Sequence, residues 1–483
     1  MRILIATPEA VPYVKTGGLA DVTGALLKEF HKKNEKVSLI LPLYSSIKEN
    51  FKLYKTDKSV KITMGGITEV GDIWVSDNSQ EPVAYFIDCD ELYGRPELYG
   101  TSYGDYPDNA IRFIFFSKAV VEACVAMNIR PDVIHCNDWQ TAMIPLYLKT
   151  VYGDKNNFTN TATVYTIHNL GYQGVFDASD MKYTDLGWDY FTPERLEFYG
   201  RLNFMKAGIL YSDLITTVSR TYSREILEPE NGFGLDGVLR KRQDDLYGII
   251  NGLNYNEWDP LNDALIPSNY GPEDMRGKIK CKRRLLETAG IQDMKAPLCG
   301  VITRLTSQKG IDLIYNSIQE LMSMGVNLVI LGKGDYYYQN LITDMSEKYS
   351  GRIFVKIGFD ESLAHLIYAG SDFFIMPSKY EPCGLGQLVA MKYGAIPIVR
   401  NTGGLADTVQ DYNHIFSKGT GFLFSDFTPA AMQDAVKRAI CVFTDKKRMK
   451  KMTLDAMNED FSWIRSAEKY LEIYRKALEK IRR

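Results

Sequence analysis

The sequence predicts an α/β protein of two doubly wound, Rossmann-like domains that face a deep interdomain cleft. Three observations lead to this fold class. Short apolar runs alternate with helical patterns in both halves, a segment without clear periodicity separates the halves, and nearly the same phrase follows a strand in each half, VKTGGLADV at 14–22 and NTGGLADTV at 401–409. Alternation of this kind indicates βαβ units and parallel sheets.

The apolar runs predict the strands of the two sheets. In the first half we predict strands at 3–6, 37–41, 83–87, 133–135, 163–167 and 214–218. In the second half we predict strands at 298–302, 328–331, 353–357, 373–376 and 396–399.

The domain limits follow from these strands. We predict a first domain over 1–252, a connection over 253–275, which is rich in Asn, Pro and Gly, and a second domain over 276–460. Residues 461–483 keep helical spacing with a charged opposite face. Two placements fit this helix, on the surface of the second domain or crossing back to the first, and we predict the crossing.

Composition narrows the class of protein. The 483 residues are 45% hydrophobic and carry a net charge of -3 with both signs interspersed, which disfavours a nucleic-acid backbone or an acidic membrane as the main partner. The seven cysteines form no CxxC pair, as is typical of reduced thiols in the cytoplasm. Met1 runs directly into a predicted strand, and no apolar run reaches about 20 residues, so we expect neither a leader nor a membrane span.

The residues that follow the predicted strands are the candidate ligand contacts, because open parallel sheets bind ligands beyond the carboxyl ends of their strands. In the first half these candidates are Glu9, Lys15, Gly18, Asp21, Asp138, His168 and Asn169. In the second half they are Arg304, Lys309, Glu381, Cys383, Gly384, Leu385, Thr402 and Gly403.

Three of these candidates are cations beside glycine-rich loops. Lys15, Arg304 and Lys309 with the nearby backbone N–H groups predict a clamp for a pyrophosphate, which stabilises the charge of a departing diphosphate without a metal. A solvated surface charge is the alternative for any one of them. The chain has no GxxxxGK[ST] loop and no GxGxxG after its first strand, so kinase, ATPase and dehydrogenase functions are disfavoured.

Other candidates leave their roles open. Glu381 is the best single carboxylate, as a nucleophile, a charge stabiliser or a hydroxyl binder, and the alternative is a first-turn acid of a helix. His168 is either a functional or a structural histidine. The motif at 88–90, DCD, is similar to a metal-binding DxD, but it has no neighbouring His, so we predict turn residues and no metal. Tyr93 belongs to a group of aromatic residues that form either the core or platforms for sugar rings.

Eight motifs together resemble the bacterial glycogen synthase and plant starch synthase family of retaining glucosyltransferases, which have the two-Rossmann type-B fold. They are KTGGLADV at Lys15, NDWQT at Asn137, IHNLGYQG at Ile167, GLDG at Gly234, IING at Ile249, RLTSQKG at Arg304, EPCGLGQ at Glu381 and TGGLADTV at Thr402. The resemblance covers essentially the whole chain. The chain departs from the wider retaining type-B families at position 389, where Val389 replaces a second glutamate.

The resemblance implies transfer of glucose from a nucleoside diphosphate glucose to the 4-hydroxyl at the non-reducing end of an α-1,4-glucan, with retained configuration. ADP-glucose is favoured over UDP-glucose as donor, with no metal or other cofactor. The first domain would hold the glucan and the second the nucleotide sugar. A front-side route is favoured, and a covalent intermediate stays open.

The resemblance also assigns roles to matching residues. Lys15, Gly18, Arg304 and Lys309 would hold the diphosphate. His168, Asn251, Glu381, Cys383 and Gly384 would surround the donor glucose, with the His168 main chain near the anomeric carbon. Asp138 and Tyr93 would contact donor or acceptor sugar. Two alternatives stay open, an α-glucan phosphorylase-like enzyme and a non-catalytic two-lobed glucan-binding protein.

Overall fold

A computed structural model describes residues 1–77, 82–101, 103–153 and 158–482 of the chain. The chain divides into two compact units. Unit 1 comprises Met1–Val218, Ser223–Ile249 and Trp463–Arg483, and unit 2 comprises Ser219–Tyr222 and Ile250–Ser462. Arg483, the last residue of the predicted crossing helix, lies outside the described residues. None of the helices in the described ranges is both long and apolar enough to cross a membrane.

Unit 1 is built on a nine-stranded sheet in the order β14-β13-β9-β8-β1-β2-β5-β4-β3. The strands of residues 1–249 are β1 Arg2–Ala6, β2 Lys36–Pro42, β3 Leu53–Met64, β4 Ile67–Ser76, β5 Ala84–Asp88, β6 Gly100–Thr101, β7 Gly104–Asp105, β8 Val133–Asn137, β9 Ala162–Ile167, β10 Val175–Phe176, β11 Glu197–Phe198, β12 Arg201–Asn203, β13 Leu214–Thr217 and β14 Leu246–Gly248. The helices are α1 Gly18–Lys32, α2 Ser45–Asn50, α3 Asp90–Tyr93, α4 Asn109–Ala126, α5 Met143–Lys149, α6 Phe204–Tyr211, α7 Arg220–Glu225, α8 Pro229–Gly232 and α9 Asp236–Arg240.

The strand order of unit 1 contains a switch point beside β1. The strand β1 pairs in parallel with β2 on one side and with β8 on the other, so the chain winds outward in both directions from it. Both β8 and β9 are buried along their whole length, as expected for parallel strands covered on both faces. The carboxyl ends of β1 and β8 therefore meet at the edge where ligands bind in folds of this kind.

Unit 2 is built on a six-stranded parallel sheet in the order β17-β16-β15-β18-β19-β20. Its strands are β15 Leu298–Leu305, β16 Asn327–Gly334, β17 Ile353–Ile357, β18 Phe373–Met376, β19 Ile396–Arg400 and β20 Phe422–Phe424. Its helices are α10 Arg276–Ala289, α11 Ile311–Ser323, α12 Tyr336–Lys348, α13 Glu361–Gly370, α14 Gly386–Lys392, α15 Gly403–Thr408, α16 Pro429–Thr444 and α17 Lys446–Met457. Here the switch point lies between β15 and β18.

Each predicted strand corresponds to a strand of the structure, and the predicted α/β class is confirmed. The antiparallel pair β3–β4 at the sheet edge, the small sheet β10-β12-β11 and the strands β14 and β20 were not predicted. Most of β3 is exposed, so its sequence carries little of the apolar signal that identifies buried strands.

The segment 253–275, predicted as a connection, is instead packed into unit 2. Leu253 and Tyr270 are 4% and 3% exposed and belong to the core of that unit. The carboxylate of Asp263 accepts hydrogen bonds from His365 Nδ1 at 2.8 Å and from the Tyr393 hydroxyl at 2.6 Å. The buried residues of this segment include Pro260 and Asp263, which hydrophobic periodicity does not identify as core residues.

The last helix, α18 Trp463–Ile481, lies in unit 1. Its buried residues recur three or four positions apart, which is the spacing of one helical face. The Tyr474 hydroxyl bonds to His135 Nδ1 at 2.9 Å, and Lys33 pairs with Glu468 at 2.8 Å. Burial lowers the pKa of His135 to about 3, so its ring is neutral and can accept this bond.

Substituting Tyr474→Phe tests the buried contact of α18. Because His135 would lose the hydroxyl partner of a buried nitrogen, we expect the free energy of unfolding to fall by about 1–3 kcal/mol, measured by urea titration. The control is Tyr165→Phe, since the Tyr165 hydroxyl is buried and has no hydrogen-bond partner among the residues described. Equal stabilities of the two variants would contradict the assignment.

Candidate functional site

A cavity of about 200 Å³ lies at the switch point of unit 2. It is lined by the end of β15, which carries Arg304, by Lys309, and by the loop that follows β18, which carries Glu381. The sequence predicted Arg304, Lys309 and Glu381 as site residues, and the structure brings all three to one cavity. Gly384 and Leu385, also predicted, line the same cavity.

An ion pair joins two of these residues. Lys309 Nζ lies 2.5 Å from Glu381 Oε2, and the two side chains are only 15% and 7% exposed. Glu381 precedes the first turn of α14, which begins at Gly386, so it is not a first-turn acid of that helix. In an ion pair with so little exposure, each group offsets part of the desolvation of the other.

The two loops that supply this ion pair are fastened together by their backbones. The Lys379 N–H donates to the Gln308 carbonyl at 2.7 Å, and the Gln308 side chain donates to the Tyr380 carbonyl at 3.1 Å. Gly310 has a φ of +68°, and a Cβ there would lie 2.1 Å from the Pro377 carbonyl oxygen. The loops therefore hold Lys309 and Glu381 in place before any ligand arrives.

The second TGGLAD phrase, residues 402–407, packs against the backbone of the loop that carries Glu381. Gly403 has a φ of +44°, and a Cβ there would lie 1.9 Å from the Glu381 carbonyl oxygen, while a Cβ on Gly404 would lie 2.0 Å from the Cys383 carbonyl oxygen. The Gly404 N–H donates to Glu381 O at 3.1 Å. Thr402 and Gly403 are buried. These residues pack against the backbone of the loop, and their predicted contact with substrate stays a prediction.

The first TGGLAD phrase has a different environment. A Cβ on Gly17 or Gly18 would enter open space. The helix α1 begins at Gly18, so its first N–H groups form an opening that is suited to an anion. Lys15, which is half-exposed, pairs with Asp21 at 2.7 Å. The same TGGLAD sequence thus forms a tight backbone contact in unit 2 and an open loop in unit 1.

Glu9 organises this open loop. Its carboxylate accepts hydrogen bonds from the Thr16 N–H at 2.5 Å, the Thr16 hydroxyl at 2.8 Å and the Tyr99 hydroxyl at 2.9 Å, and Glu9 is 5% exposed. The oxygens of Glu9 therefore orient the loop, and its predicted contact with substrate stays a prediction.

Asp138 and His168 lie at the ends of β8 and β9. Asp138 has a φ of +55°, an unfavourable conformation for a residue with a side chain, and its Oδ1 accepts the His168 N–H at 2.8 Å. Burial raises the pKa of Asp138 to about 8, and the charge of Glu9 adds to this effect. Burial lowers the pKa of His168 to about 3. At neutral pH the carboxyl is mainly protonated and the imidazole is neutral.

The side chain of His168 has a fixed orientation. Its Nε2 lies 3.0 Å from Asn137 Oδ1, and because an amide oxygen only accepts, Nε2 carries the proton. Asn137 in turn donates to the Ala6 carbonyl at 3.1 Å. Next to His168, Asn169 is partly exposed and accepts the Gly171 N–H at 2.9 Å.

Tyr93 is a buried residue of unit 1. Its side chain is fully buried, its hydroxyl donates to the Arg112 carbonyl at 2.7 Å, and its ring packs edge-on against Tyr44. In this structure Tyr93 occupies the core, as in the alternative that the sequence left open, and its predicted contact with sugar stays a prediction.

Asn251 and Cys383 lie together inside unit 2. Asn251 is 6% exposed, and its Oδ1 has no hydrogen-bond partner within the described part of the chain. Burial raises the pKa of the Cys383 thiol to about 12, opposed by a hydrogen bond from the Asn251 backbone. The thiol therefore stays protonated and is unsuited to act as a nucleophile.

Two site residues were missed. Ser378 donates to Glu381 Oε2 at 2.9 Å, and Gln308 joins the two loops. Apart from its position three residues before Glu381, nothing in the sequence marked Ser378. Nothing in the sequence marked Gln308 apart from its position beside Lys309.

The raised pKa of Asp138 predicts a pH effect on stability. A pKa above the usual 3.8 means that the folded protein binds this proton more tightly than the unfolded chain, so the contribution is complete below about pH 4 and is lost as pH rises through about 8. Between pH 5 and 8 we expect the free energy of unfolding of the unchanged protein to fall by on the order of 1–3 kcal/mol more than that of Asp138→Asn, in urea titrations. Parallel pH profiles would rule this out. The control Asp132→Asn should follow the unchanged protein, because the pKa of Asp132 is lowered.

The same glycine-to-alanine substitution is predicted to affect stability differently in the two TGGLAD phrases. Gly404→Ala should lower the free energy of unfolding by about 1–3 kcal/mol, because its Cβ overlaps the Cys383 backbone. Gly18→Ala should change it by less than about 0.5 kcal/mol, because the Cβ enters open space. Urea titration of both variants measures the difference, and similar values would show that the two environments were assigned wrongly.

Comparisons with known proteins identify the family. Residues 2–241 match the model of the starch synthase catalytic domain, and residues 287–454 match that of glycosyl transferases group 1. The chain is 44% identical to a glycogen synthase of Thermodesulfovibrio yellowstonii over 98% of this chain and 97% of the relative. It is 46% identical to a glycogen synthase of Geotalea daltonii over 99% of both chains.

Solved structures agree with these matches. The catalytic domain of starch synthase IV from Arabidopsis thaliana, bound to ADP and acarbose, is similar with a TM-score of 0.90 and 31% identity over 99% of both chains. A sucrose-phosphate synthase from Thermosynechococcus elongatus, at 17% identity and a TM-score of 0.62 over 99% of both chains, shows the fold alone. With its two parallel-sheet units, its strand-end site and these full-length relatives, the chain belongs to the glycogen synthase and starch synthase family of glycosyltransferases with the type-B fold.

Proposed function

We propose that this glycosyltransferase moves glucose from ADP-glucose to the 4-hydroxyl at the non-reducing end of an α-1,4-glucan, with retention of configuration. The observation that carries the proposal is the ion pair of Lys309 and Glu381 beside Arg304 in one cavity at the switch point of unit 2. Two cations suit a diphosphate, and an adjacent carboxylate suits a sugar that gains positive charge as its bond to phosphate breaks.

The choice of donor and acceptor rests on the relatives. The similar starch synthase IV structure contains ADP and acarbose, a nucleoside diphosphate and an oligosaccharide analogue. By analogy we propose ADP-glucose as the donor and an α-1,4-glucan as the acceptor. The donor diphosphate is assigned to Arg304 and Lys309 at the edge of unit 2, and the glucan to the edge of unit 1 with Asp138 and Asn169.

The proposed reaction breaks the bond between the anomeric carbon and the diphosphate and forms a bond from that carbon to the acceptor O4. Arg304 and Lys309 stabilise the negative charge that develops on the leaving group. The acceptor proton passes to the departing phosphate oxygen on the same face of the sugar. The protonated carboxyl of Asp138 donates a hydrogen bond to a sugar hydroxyl, and the His168 main chain is assigned a place near the anomeric carbon.

We also propose that transfer needs neither a metal nor another cofactor, because the two cations supply the charge that a metal would provide. A cytoplasmic location stays a prediction from the cysteine content. The structure describes seven cysteines, six of them buried, and all as free thiols.

The experiment that tests the function is incubation of the protein with glycogen and either ADP-glucose or UDP-glucose, with and without EDTA. We expect released ADP and longer glucan chains, faster with ADP-glucose, and the same rate in EDTA. Glucose 1-phosphate formation from glycogen and phosphate would indicate a phosphorylase instead. Binding of glycogen without transfer would indicate a binding protein, and activity lost in EDTA but restored by Mg²⁺ would overturn the metal-free proposal.

Alanine substitution of the two cations tests their assigned role. Arg304→Ala or Lys309→Ala should lower turnover by about 10² to 10³ fold, the scale observed when a donor that stabilises developing charge is removed. The control is Lys356→Ala, an exposed lysine on β17 of the same sheet that does not line the cavity. Near-normal turnover of both variants would contradict the proposal that Arg304 and Lys309 bind the diphosphate.

A further inference from the structure

We infer that Ser378 is a positioning residue that holds Glu381 for the transfer reaction, and that Glu381 Oε1 is the oxygen presented to the donor sugar. The inference rests on the proposed function and names how its central carboxylate is oriented. Ser378 follows β18, is 1% exposed and lines the same cavity as Glu381.

The contacts of the Glu381 carboxylate are unequal. The Ser378 hydroxyl donates to Oε2 at 2.9 Å, and Lys309 Nζ contacts the same Oε2 at 2.5 Å. In the described ranges of the chain, no side chain or backbone group bonds to Oε1. Two donors therefore anchor Oε2 of the carboxylate, and Oε1 is left for a ligand.

The two donors have different capacities. The ammonium of Lys309 has three N–H groups, so it can retain Glu381 and still reach a diphosphate, whereas the hydroxyl of Ser378 has a single proton, which is directed at Glu381. When Lys309 interacts with the negative charge of the leaving group, the hydrogen bond from Ser378 still holds the Glu381 carboxylate in place. The hydrogen bond from Ser378 therefore contributes most to the orientation of Glu381 while the bond between the donor sugar and its diphosphate breaks.

The backbone around Ser378 is suited to this role. The preceding residue, Pro377, has a restricted φ, and its carbonyl oxygen touches Gly310. The following residue, Lys379, donates its N–H to Gln308 O at 2.7 Å. Both neighbours of Ser378 thus contact the loop that carries Lys309. The positions of the Ser378 hydroxyl, and of the Glu381 carboxylate that it contacts, therefore depend on the position of this loop.

A matched pair of variants isolates the hydroxyl. Ser378→Thr keeps the hydroxyl, and Ser378→Val has the same shape as threonine without it. We expect the valine variant to have a kcat at least about tenfold below that of the threonine variant, with KM for ADP-glucose within about twofold, because the bond acts mainly in the transition state. The control Ser317→Ala, a buried serine on α11 whose hydroxyl has no partner among described residues, should keep kcat within about twofold.

Several outcomes decide the inference. Equal kcat values of the threonine and valine variants would overturn it, and so would a loss that appears only in KM. If the added methyl group prevents folding of both, Ser378→Ala is compared with the unchanged protein under the same criteria, since it removes the hydroxyl without adding volume.

A spectroscopic measurement separates this inference from the proposed function. The Glu381 carboxyl signal of protein labelled with ¹³C-glutamate is assigned by its loss in Glu381→Gln. It should move between the threonine and valine variants if the hydroxyl holds the carboxylate, and an unchanged signal would overturn the inference. If the unchanged protein transfers no glucose, the proposed function fails, whereas this signal still decides whether Ser378 orients Glu381.

Discussion

Parallel pairing of strands across a switch in winding direction is the constraint on which the candidate site depends. Lys309 and Glu381 are 72 residues apart, yet they form an ion pair because β15 and β18 are neighbours in the sheet and their carboxyl ends lie at the same edge. In unit 1, the adjacency of β1 and β8 likewise brings the Gly18 loop and Asp138 to one edge. Parallel sheets place ligands at such points because the loops diverge there and leave a crevice.

Burying an ion pair is costly, and the surrounding loops offset part of that cost. The desolvation of Lys309 and Glu381 is compensated by their mutual attraction and by the hydroxyl of Ser378. Glycines permit the close approach that this arrangement needs, since side chains at Gly310, Gly403 or Gly404 would overlap backbone atoms of the neighbouring loop. The rigidity of the site therefore comes from backbone contacts rather than from its charged groups alone.

The edges of the two units differ in charge. The cavity of unit 2 contains paired and cationic groups, which suit the proposed diphosphate. At the end of β8 and β9 in unit 1, burial raises the pKa of Asp138 to about 8 and lowers that of His168 to about 3, so both are mainly uncharged at neutral pH. Neutral polar groups suit the hydroxyls of a sugar, which form hydrogen bonds without requiring a compensating charge.

The sequence by itself determined the α/β class, the family, most of the parallel strands, and the grouping of Arg304, Lys309 and Glu381 at strand ends, because periodicity and local motifs are properties of short segments. Only the tertiary structure decided which side chains meet. The two TGGLAD phrases have nearly the same sequence, but the first lies in open space, whereas the second packs against the loop that carries Glu381. Likewise Tyr93 and Glu9 are occupied by the fold, and Ser378 faces Glu381. A local pattern shows which residues favour a strand, a helix or a turn, whereas burial and pairing depend on segments distant in the chain, which the pattern does not specify.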